Sequence, residues 1–245
     1  MKPIFLRIDD IGASTKKFEI YSKKRLANIL FFKYLKYFRA WAPYPELTKK
    51  EWEQVFEILS NYNAKLTVGV TASWVEKDGT LVPFPEKYPE QADLLKFASE
   101  SGLIEVANHG LTHCVVGQHL PKMFTSNRKY HREFWEWIPR DIHFEHLEKS
   151  QKIFNEWLGK LPTTLIPPGN VYSADTLNAA EKYGFKMINS YINLGIESEI
   201  KIVNSTNIDA FHDRELALYG IKWLEDKIKS YPKGTDFCLL NEIQR

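Results

Sequence analysis

The chain has 245 residues, of which 44% are hydrophobic and 26% are charged, a balance typical of a folded globular protein and not of a disordered chain. Its 33 basic and 31 acidic residues leave a formal charge of +2, which gives no electrostatic reason to expect nucleic acid or an anionic membrane as the main partner. No run approaches the roughly 18 apolar residues of a membrane span, no secretion signal is visible and the two cysteines form no CxxC pair, so we expect a cytoplasmic protein without a thiolate zinc site.

Short apolar runs that predict strands alternate along the chain with amphipathic runs that predict helices. The predicted strands cover residues 3–10, 64–70, 103–110, 163–170, 186–190, 201–206 and 236–243. The predicted helices cover residues 48–61, 89–102, 141–159, 173–184 and 215–231. This alternation predicts a parallel α/β fold, and the absence of repeats and flexible linkers predicts a single domain over residues 1–245.

Polar residues lie at or just after the C-terminal ends of several predicted strands. These residues are Asp9, Asp10, Asn108, His109, Pro167 to Asn170 and His212. In parallel α/β barrels this edge of the sheet is where active sites are assembled. The pattern therefore predicts a functional site that is built from loops distant in the sequence.

The segment HGLTH places His109 and His113 four residues apart. A metal needs imidazoles that converge, and this spacing on a helical turn or tight loop provides them. The chain has seven histidines, so a pair at this spacing also arises by chance, and two surface histidines are the alternative.

Asp9 and Asp10 end an otherwise apolar strand. Adjacent carboxylates repel each other and are costly to bury unless something positive binds there, so a bound cation is the economical explanation. Neighbouring strand residues point in opposite directions, which allows one acid to bind metal and the other to face substrate. A solvated acidic turn or a helix cap is the alternative. His212 is a candidate general acid because the ordinary pKa of histidine is near neutrality, although alone it would be read as a structural or surface residue.

The order and spacing of RIDD, HGLTH, IPPG and FHD resemble the motifs of the polysaccharide deacetylases, carbohydrate esterase family 4. The similarity extends over nearly the whole chain and implies a distorted (β/α) barrel of about seven parallel strands. Carried over position by position, it implies one divalent metal. The implied roles are Asp9 as catalytic base, Asp10, His109 and His113 as metal ligands, His212 as general acid and Gly169 as a backbone donor to the oxyanion.

The sequence departs from the family pattern in its third and fourth motifs. Ile166 stands where the family has arginine, and Gly169 where it has tyrosine. The fourth motif is not found, since the segment KMINSYINL has no aspartate or tryptophan in register. Arg7 lies two residues before Asp9 on the same strand face, so we hypothesise that it replaces the missing support of the base.

The predicted function is metal-assisted hydrolysis of an N-acetyl, or O-acetyl, group on a sugar or glycan precursor. Zinc is the favoured metal, and iron, cobalt and manganese also suit two imidazoles and one carboxylate. Asn170 and Trp74 are assigned, with Arg7 and Gly169, to the oxyanion and substrate side of the site. By analogy the pathway is surface-polysaccharide or lipopolysaccharide biosynthesis.

Two other functions are consistent with the sequence. A non-catalytic relative would bind metal and glycan but would have lost turnover with the third and fourth motifs. A metal-dependent amidase would act on a small, non-polymeric substrate in a closed pocket.

An aromatic-rich insertion around residues 111–146 interrupts the alternation of strands and helices. One interpretation is a lid or groove wall that stacks on sugar rings, because aromatic rings offer flat apolar platforms. The other is a helical insertion whose aromatic residues pack in its own core. The basic stretch from Lys16 to Lys36 is interrupted by apolar residues and is expected to be the solvated face of an amphipathic helix.

Overall fold

The computed structural model describes residues 2–17, 43–116 and 130–243, together with Leu26, Phe32, Leu35, Tyr37 and Phe38. The strands in these residues are β1 (Phe5–Ile11), β2 (Leu66–Val70), β3 (Ser73–Val75), β4 (Leu81–Pro83), β5 (Ile104–Asn108), β6 (Thr164–Leu165), β7 (Met187–Asn189), β8 (Lys201–Val203) and β9 (Ile208–His212). The α-helices are α1 (Lys49–Asn61), α2 (Phe84–Lys87), α3 (Pro89–Glu100), α4 (Arg140–Leu158), α5 (Ala174–Lys182), α6 (Asp213–Tyr219) and α7 (Lys222–Lys229).

Seven of the strands form one curled sheet in the order β8-β7-β6-β5-β2-β1-β9. Every pairing in this sheet is parallel, so all the C-terminal strand ends lie at one edge. The predicted distorted (β/α) barrel of about seven parallel strands is therefore confirmed. The remaining strands, β3 and β4, form a separate antiparallel hairpin that carries Trp74.

The central strands are buried along their whole length because helices and loops cover both faces of a parallel sheet. All residues of β2 and β5 are buried. Helix α1 begins at a capping box in which the hydroxyl of Thr48 accepts from the Glu51 N–H and the Glu51 carboxylate accepts from the Thr48 N–H. Its buried face contributes Trp52 to the same core as β2. This packing fixes the strand ends that carry polar residues.

The predicted last strand, 236–243, is wrong. Phe237 makes only an isolated bridge to Ile4, and Leu240–Glu242 is a short 3-10 helix. Three successive backbone N–H groups, those of Leu239, Leu240 and Asn241, donate to side chains and not to a neighbouring strand; that of Leu240 donates to the hydroxyl of Thr67 at 3.0 Å. The edge position beside β1 belongs to β9, which was not predicted as a strand.

The predicted helix 215–231 is two helices, α6 and α7, because the chain breaks at Gly220 with φ 81° and ψ 163°. Most of the basic stretch, and residues 117–129 of the aromatic-rich insertion with His119, lie outside the described residues. Among the helices that the structure describes, none combines the length and the apolar character that crossing a membrane requires.

Candidate active site

The C-terminal edge of the sheet brings together polar residues from four strands. Asp9 lies directly opposite His212 across the β1–β9 pairing. His109 follows the last residue of β5, and Asn189 is the last residue of β7. The ladder between β1 and β2 is irregular between Ile8 and Ile11, so a bulge falls at the two acids.

The bulge gives Asp10 a direction that a regular strand would not. Asp10 has φ 70°, a left-handed conformation that residues other than glycine rarely adopt. Bulges next to active sites re-aim a side chain, and here the result is that Asp9 and Asp10 have different surroundings. Asp9 is buried against Arg7, whereas the Asp10 side chain is 21% exposed and faces two histidines.

Asp10, His109 and His113 converge on one point. The Oδ1 atom of Asp10 lies 3.2 Å from Nε2 of His109 and 3.1 Å from Nε2 of His113. All three ligand atoms lie within 4.8 Å of one another. Two imidazoles and one carboxylate that leave positions open for water and substrate are the donor set of a catalytic zinc site.

The outer nitrogen of each histidine is hydrogen-bonded, and this sets the orientation of both rings. Nδ1 of His109 donates to the carbonyl of Ile166 at 2.7 Å, because a carbonyl can only accept. Nδ1 of His113 shares a hydrogen bond of 3.0 Å with the hydroxyl of Thr15. In a neutral ring of His109 the Nε2 lone pair therefore points at the Asp10 carboxylate. The lone pairs of this nitrogen and of the carboxylate oxygen repel each other unless a cation or a proton lies between them. The residues present therefore fit a divalent cation.

The pKa values favour the same conclusion. Burial alone would raise the pKa of Asp10, but its contacts with His109 and His113, with the charge of His212, hold that pKa well below its ordinary value of 3.8. Burial, with a contribution from the guanidinium of Arg132, lowers the pKa of His113 to about 4. At neutral pH Asp10 is ionised and His113 is neutral, which are the forms that bind a metal.

Asp9 is fixed through one of its two carboxylate oxygens. Oδ2 accepts from Nη2 of Arg7 at 2.5 Å. The same guanidinium donates to the side-chain oxygen of Asn170 at 2.9 Å and to that of Asn189. Oδ1 of Asp9 is buried and has no hydrogen-bond partner within the described part of the chain. A side chain at position 69 would come within 3.2 Å of this oxygen, so Gly69 leaves room beside it.

The other predicted site residues are placed as follows. His212 is the last residue of β9, with its side chain 39% exposed and Nδ1 3.8 Å from Glu215. Gly169 has φ 67°, and a side chain there would overlap the side chain of Arg132. Trp74 is only 7% exposed and packs edge-on against Tyr88. The roles of these residues in catalysis and substrate binding stay predictions.

The structure adds residues that the sequence did not indicate. Thr15 holds the ring of His113, and two residues of the insertion reach the site: Glu133 accepts from the His113 N–H, and Arg132 lies beside Gly169. No periodicity or motif marks them, because each acts through a contact across the fold. The sequence places Asn189 in the segment KMINSYINL, which lacks the fourth motif, and gives it no role. Its hydrogen bond to Arg7 spans 182 positions of the sequence.

The family described as polysaccharide deacetylase matches residues 42–188, more than half of the chain. A comparison with curated protein sequences finds no match. Among solved structures, a CE4-family pseudoenzyme from Bacillus anthracis is 13% identical at a TM-score of 0.51, covering 99% of this chain and 65% of that one. A mutant of it with restored enzymatic activity is 14% identical at the same TM-score, covering 99% and 67%.

The Bc1960 peptidoglycan N-acetylglucosamine deacetylase is 14% identical at a TM-score of 0.51, covering 98% of this chain and 87% of that one. A structure from Mycobacterium smegmatis matches 57% of this chain at a TM-score of 0.39 with 15% identity. This chain spans 37% of the Mycobacterium smegmatis chain and 65% of the pseudoenzyme, less than two thirds of either. At these identities the similarity concerns the fold.

Proposed function

This chain belongs to the polysaccharide deacetylase family, and we propose that it is a metal-dependent hydrolase that removes an N-acetyl group from a sugar or glycan precursor. The observation that supports this most is the convergence of Asp10, His109 and His113, together with a neighbouring acid, Asp9, that has one carboxylate oxygen without a hydrogen-bond partner among the described residues. An O-acetyl ester would be hydrolysed by the same groups, since only the leaving atom differs.

Asp10, His109 and His113 would hold a divalent cation. When bound, such a cation polarises a carbonyl group and makes a water molecule more acidic. Zinc is the proposed metal, because the donor set and the neutral state of His113 suit it. Iron, cobalt and manganese remain alternatives for two imidazoles and one carboxylate.

Asp9 is the proposed base. Its Oδ2 is held by Arg7, so Oδ1, which has no hydrogen-bond partner in the described part of the chain, is the oxygen that can accept a proton from the attacking water. A base must lie within hydrogen-bond reach of the proton it removes. Asp9 meets this condition in the proposal because it is adjacent in β1 to Asp10, a proposed metal ligand. Arg7 is the proposed replacement for the arginine missing at Ile166, because its contact with Asp9 supplies the support that the family motif implies.

The later steps are assigned to His212 and Gly169. The Gly169 N–H is proposed to donate to the oxyanion that forms when water attacks the acetyl carbon. His212, opposite Asp9 in the sheet and part-exposed, is proposed to give its proton to the departing nitrogen. Asn170 is proposed to act mainly through Arg7, since its side-chain oxygen accepts from that guanidinium. Trp74 is proposed to line the substrate side of the site.

The substrate is proposed to be an N-acetylated amino sugar. The structural neighbour Bc1960 is a peptidoglycan N-acetylglucosamine deacetylase, which supports this substrate class by analogy alone. We place the activity in the cytoplasm, on a precursor for surface polysaccharide or lipopolysaccharide. An amidase of a small non-polymeric substrate would use the same groups in a more enclosed site.

A second candidate is a non-catalytic relative that binds metal and glycan. The observation that favours it is the absence of the family's arginine and tyrosine, replaced by Ile166 and Gly169. Against it stand the retention of Asp9 and of His212, which metal binding alone does not require.

Acetate release from a panel of N-acetylated sugars and nucleotide sugars tests the proposal. Metal-loaded wild type is compared with Asp9→Asn, and with Asp209→Asn as a control on β9, where Asp209 pairs with Lys227. We expect release by wild type and by the control, and loss of release in Asp9→Asn with metal binding retained. Stoichiometric metal binding without any release would favour the non-catalytic relative.

A further inference from the structure

The carboxylate of Glu133 lies beneath the loop that carries both histidine ligands. It accepts hydrogen bonds from three successive backbone N–H groups, at 3.3 Å from Leu111, 3.4 Å from Thr112 and 3.2 Å from His113. Glu133 is fully buried. Successive N–H groups that converge on one anion form a concave nest, and here the occupant is a side chain of the same chain.

The loop is shaped to admit this carboxylate. Gly110 has φ 83°, and a Cβ atom there would lie 2.6 Å from Cδ of Glu133, so only glycine leaves the space. The opposite side of the loop is tied to the β2–β3 connection, where the N–H of Ala72 donates to the Gly110 carbonyl at 3.0 Å. The N–H of Ser73 donates to the Leu111 carbonyl at 2.7 Å. The loop is therefore held through its carbonyls on one side and through its N–H groups on the other.

A second buried residue completes the arrangement. His146 is in the second turn of α4, is 7% exposed, and donates from Nδ1 to the Glu133 carboxylate. A buried carboxylate is costly unless its oxygens are hydrogen-bonded, and the three backbone donors with His146 supply those bonds. The result is a continuous chain of contacts from α4 through Glu133 to His113.

We propose that Glu133, with His146, is a positioning residue for the metal site and sets the backbone of His113 so that Nε2 meets Asp10. His113 has φ 66°, which needs support from its surroundings because a residue other than glycine avoids this conformation. Its ring is fixed separately by Thr15 at Nδ1. Two attachments, one on the backbone and one on the ring, determine where the ligand nitrogen lies. This inference rests on the proposed metal-dependent function.

Glu105 provides a matched control on the same strand. It is also buried, and its carboxylate accepts from the hydroxyls of Thr67 and Thr164 and from the N–H of Asn241. It lies four residues before His109, roughly 13 Å along β5 from the site. A hydroxyl can rotate to accept from an amide, so Glu105→Gln keeps most of its bonds. Backbone N–H groups cannot turn round, so in Glu133→Gln the new amide N–H faces another donor.

The test measures cobalt affinity by competition with a chromophoric chelator, together with the visible absorption spectrum of the cobalt-loaded protein. Both are measured well below the melting temperature of each variant, and no substrate is needed. We expect Glu133→Gln to weaken cobalt binding by about 10–100-fold and to change the absorption bands, because partners of metal ligands typically have effects of this size. Glu105→Gln should leave both unchanged.

His146 supplies a second series in case Glu133→Gln does not fold. His146→Leu should weaken cobalt binding, and His146→Gln, which keeps an N–H donor, should restore part of it. Wild-type affinity and spectrum in Glu133→Gln, or an equal loss in Glu105→Gln, would overturn the positioning role while leaving the proposed function intact. A wild-type protein that binds no cobalt would overturn both.

Discussion

Replacing Arg7 with methionine is expected to lower the free energy of unfolding by about 3–5 kcal/mol, the usual cost of removing one partner of a buried ion pair. Arg7 is 1% exposed, and the Asp9 side chain that it contacts is 4% exposed. The substitution removes the hydrogen bonds to Asp9, Asn170 and Asn189 together. Methionine fills much of the space, so the loss reflects the uncompensated carboxylate more than a cavity.

The matched control is Arg140→Met. The guanidinium of Arg140 lies 3.8 Å from Asp175 and its side chain is 66% exposed, so its ion pair is screened by water. We expect this variant to lose less than about 1 kcal/mol. The contrast between the two variants separates the burial of an arginine from the mere loss of a positive charge.

The assay is urea unfolding at pH 7, followed by circular dichroism, on wild type, Arg7→Met, Asp9→Asn and the double variant. If the guanidinium acts through Asp9, the double variant should lose less than the sum of the single losses, by about 0.5–3 kcal/mol. A loss below about 1 kcal/mol in Arg7→Met, or strictly additive losses, would refute the reasoning. Acetate release should fall in Arg7→Met because the base loses its fixed orientation.

Saturation with a divalent metal at 100 times its Kd should raise the free energy of unfolding by about 2.7 kcal/mol, and chelation should reverse the gain; the same titration of Asp10→Asn should show none of it. Gly110→Ala should lower the melting temperature more than Gly102→Ala, because both glycines have positive φ but only Gly110 lies against Glu133. Equal losses, about 1–2 kcal/mol from backbone strain, would contradict the overlap. Burial raises the pKa of Glu105 above its ordinary 4.5, so its contribution to stability is fully present at lower pH and is lost as pH rises through the folded-state value. Glu105→Gln should therefore gain stability relative to wild type as pH rises from about 4.5, and a difference in unfolding free energy that does not vary with pH would contradict this.

The sequence was sufficient to predict those parts of the site that depend on local order. The acids at Asp9 and Asp10 follow a buried strand, and His109 follows another, so parallel pairing brings them to one edge. Arg7 could be related to Asp9 because residues two apart on a strand share a face. These inferences need only the period of a strand and the common direction of parallel strands.

The remaining parts depend on tertiary contacts that no local pattern records. β9 was missed because Ile208–His212 is short and only two of its residues, Ile208 and Phe211, are buried apolar side chains. The apolar run at 236–243 looked like a strand, yet the hydroxyl of Thr67 takes the backbone N–H of Leu240. The contacts of Glu133 with the loop that carries His109 and His113 could not be predicted, because they follow neither the helical nor the strand period of the sequence.

The proposed replacement of the family's third-motif arginine by Arg7 has an electrostatic consequence at the end of β7. The guanidinium of Arg7 already pairs with Asp9, and its other terminal nitrogen donates to Asn189. An aspartate at position 189 would place a second buried carboxylate on the same cation and leave the site with an uncompensated negative charge. The neutral amide accepts the hydrogen bond without adding that charge.

A buried ion pair is an expensive way to stabilise a fold, because well-packed apolar residues of similar volume often do as well or better. Arg7 and Asp9 nevertheless occupy buried positions on β1, next to the edge strand β9, where leucine or methionine would fit the pattern of a buried strand. Oδ1 of Asp9 is moreover left without a partner in the described part of the chain, although it is buried beside the ligands. A site that only bound metal would gain nothing from this carboxylate, whereas a hydrolase needs an oxygen that is held in place and free to accept a proton. The cost of the pair therefore favours the catalytic function over the non-catalytic one.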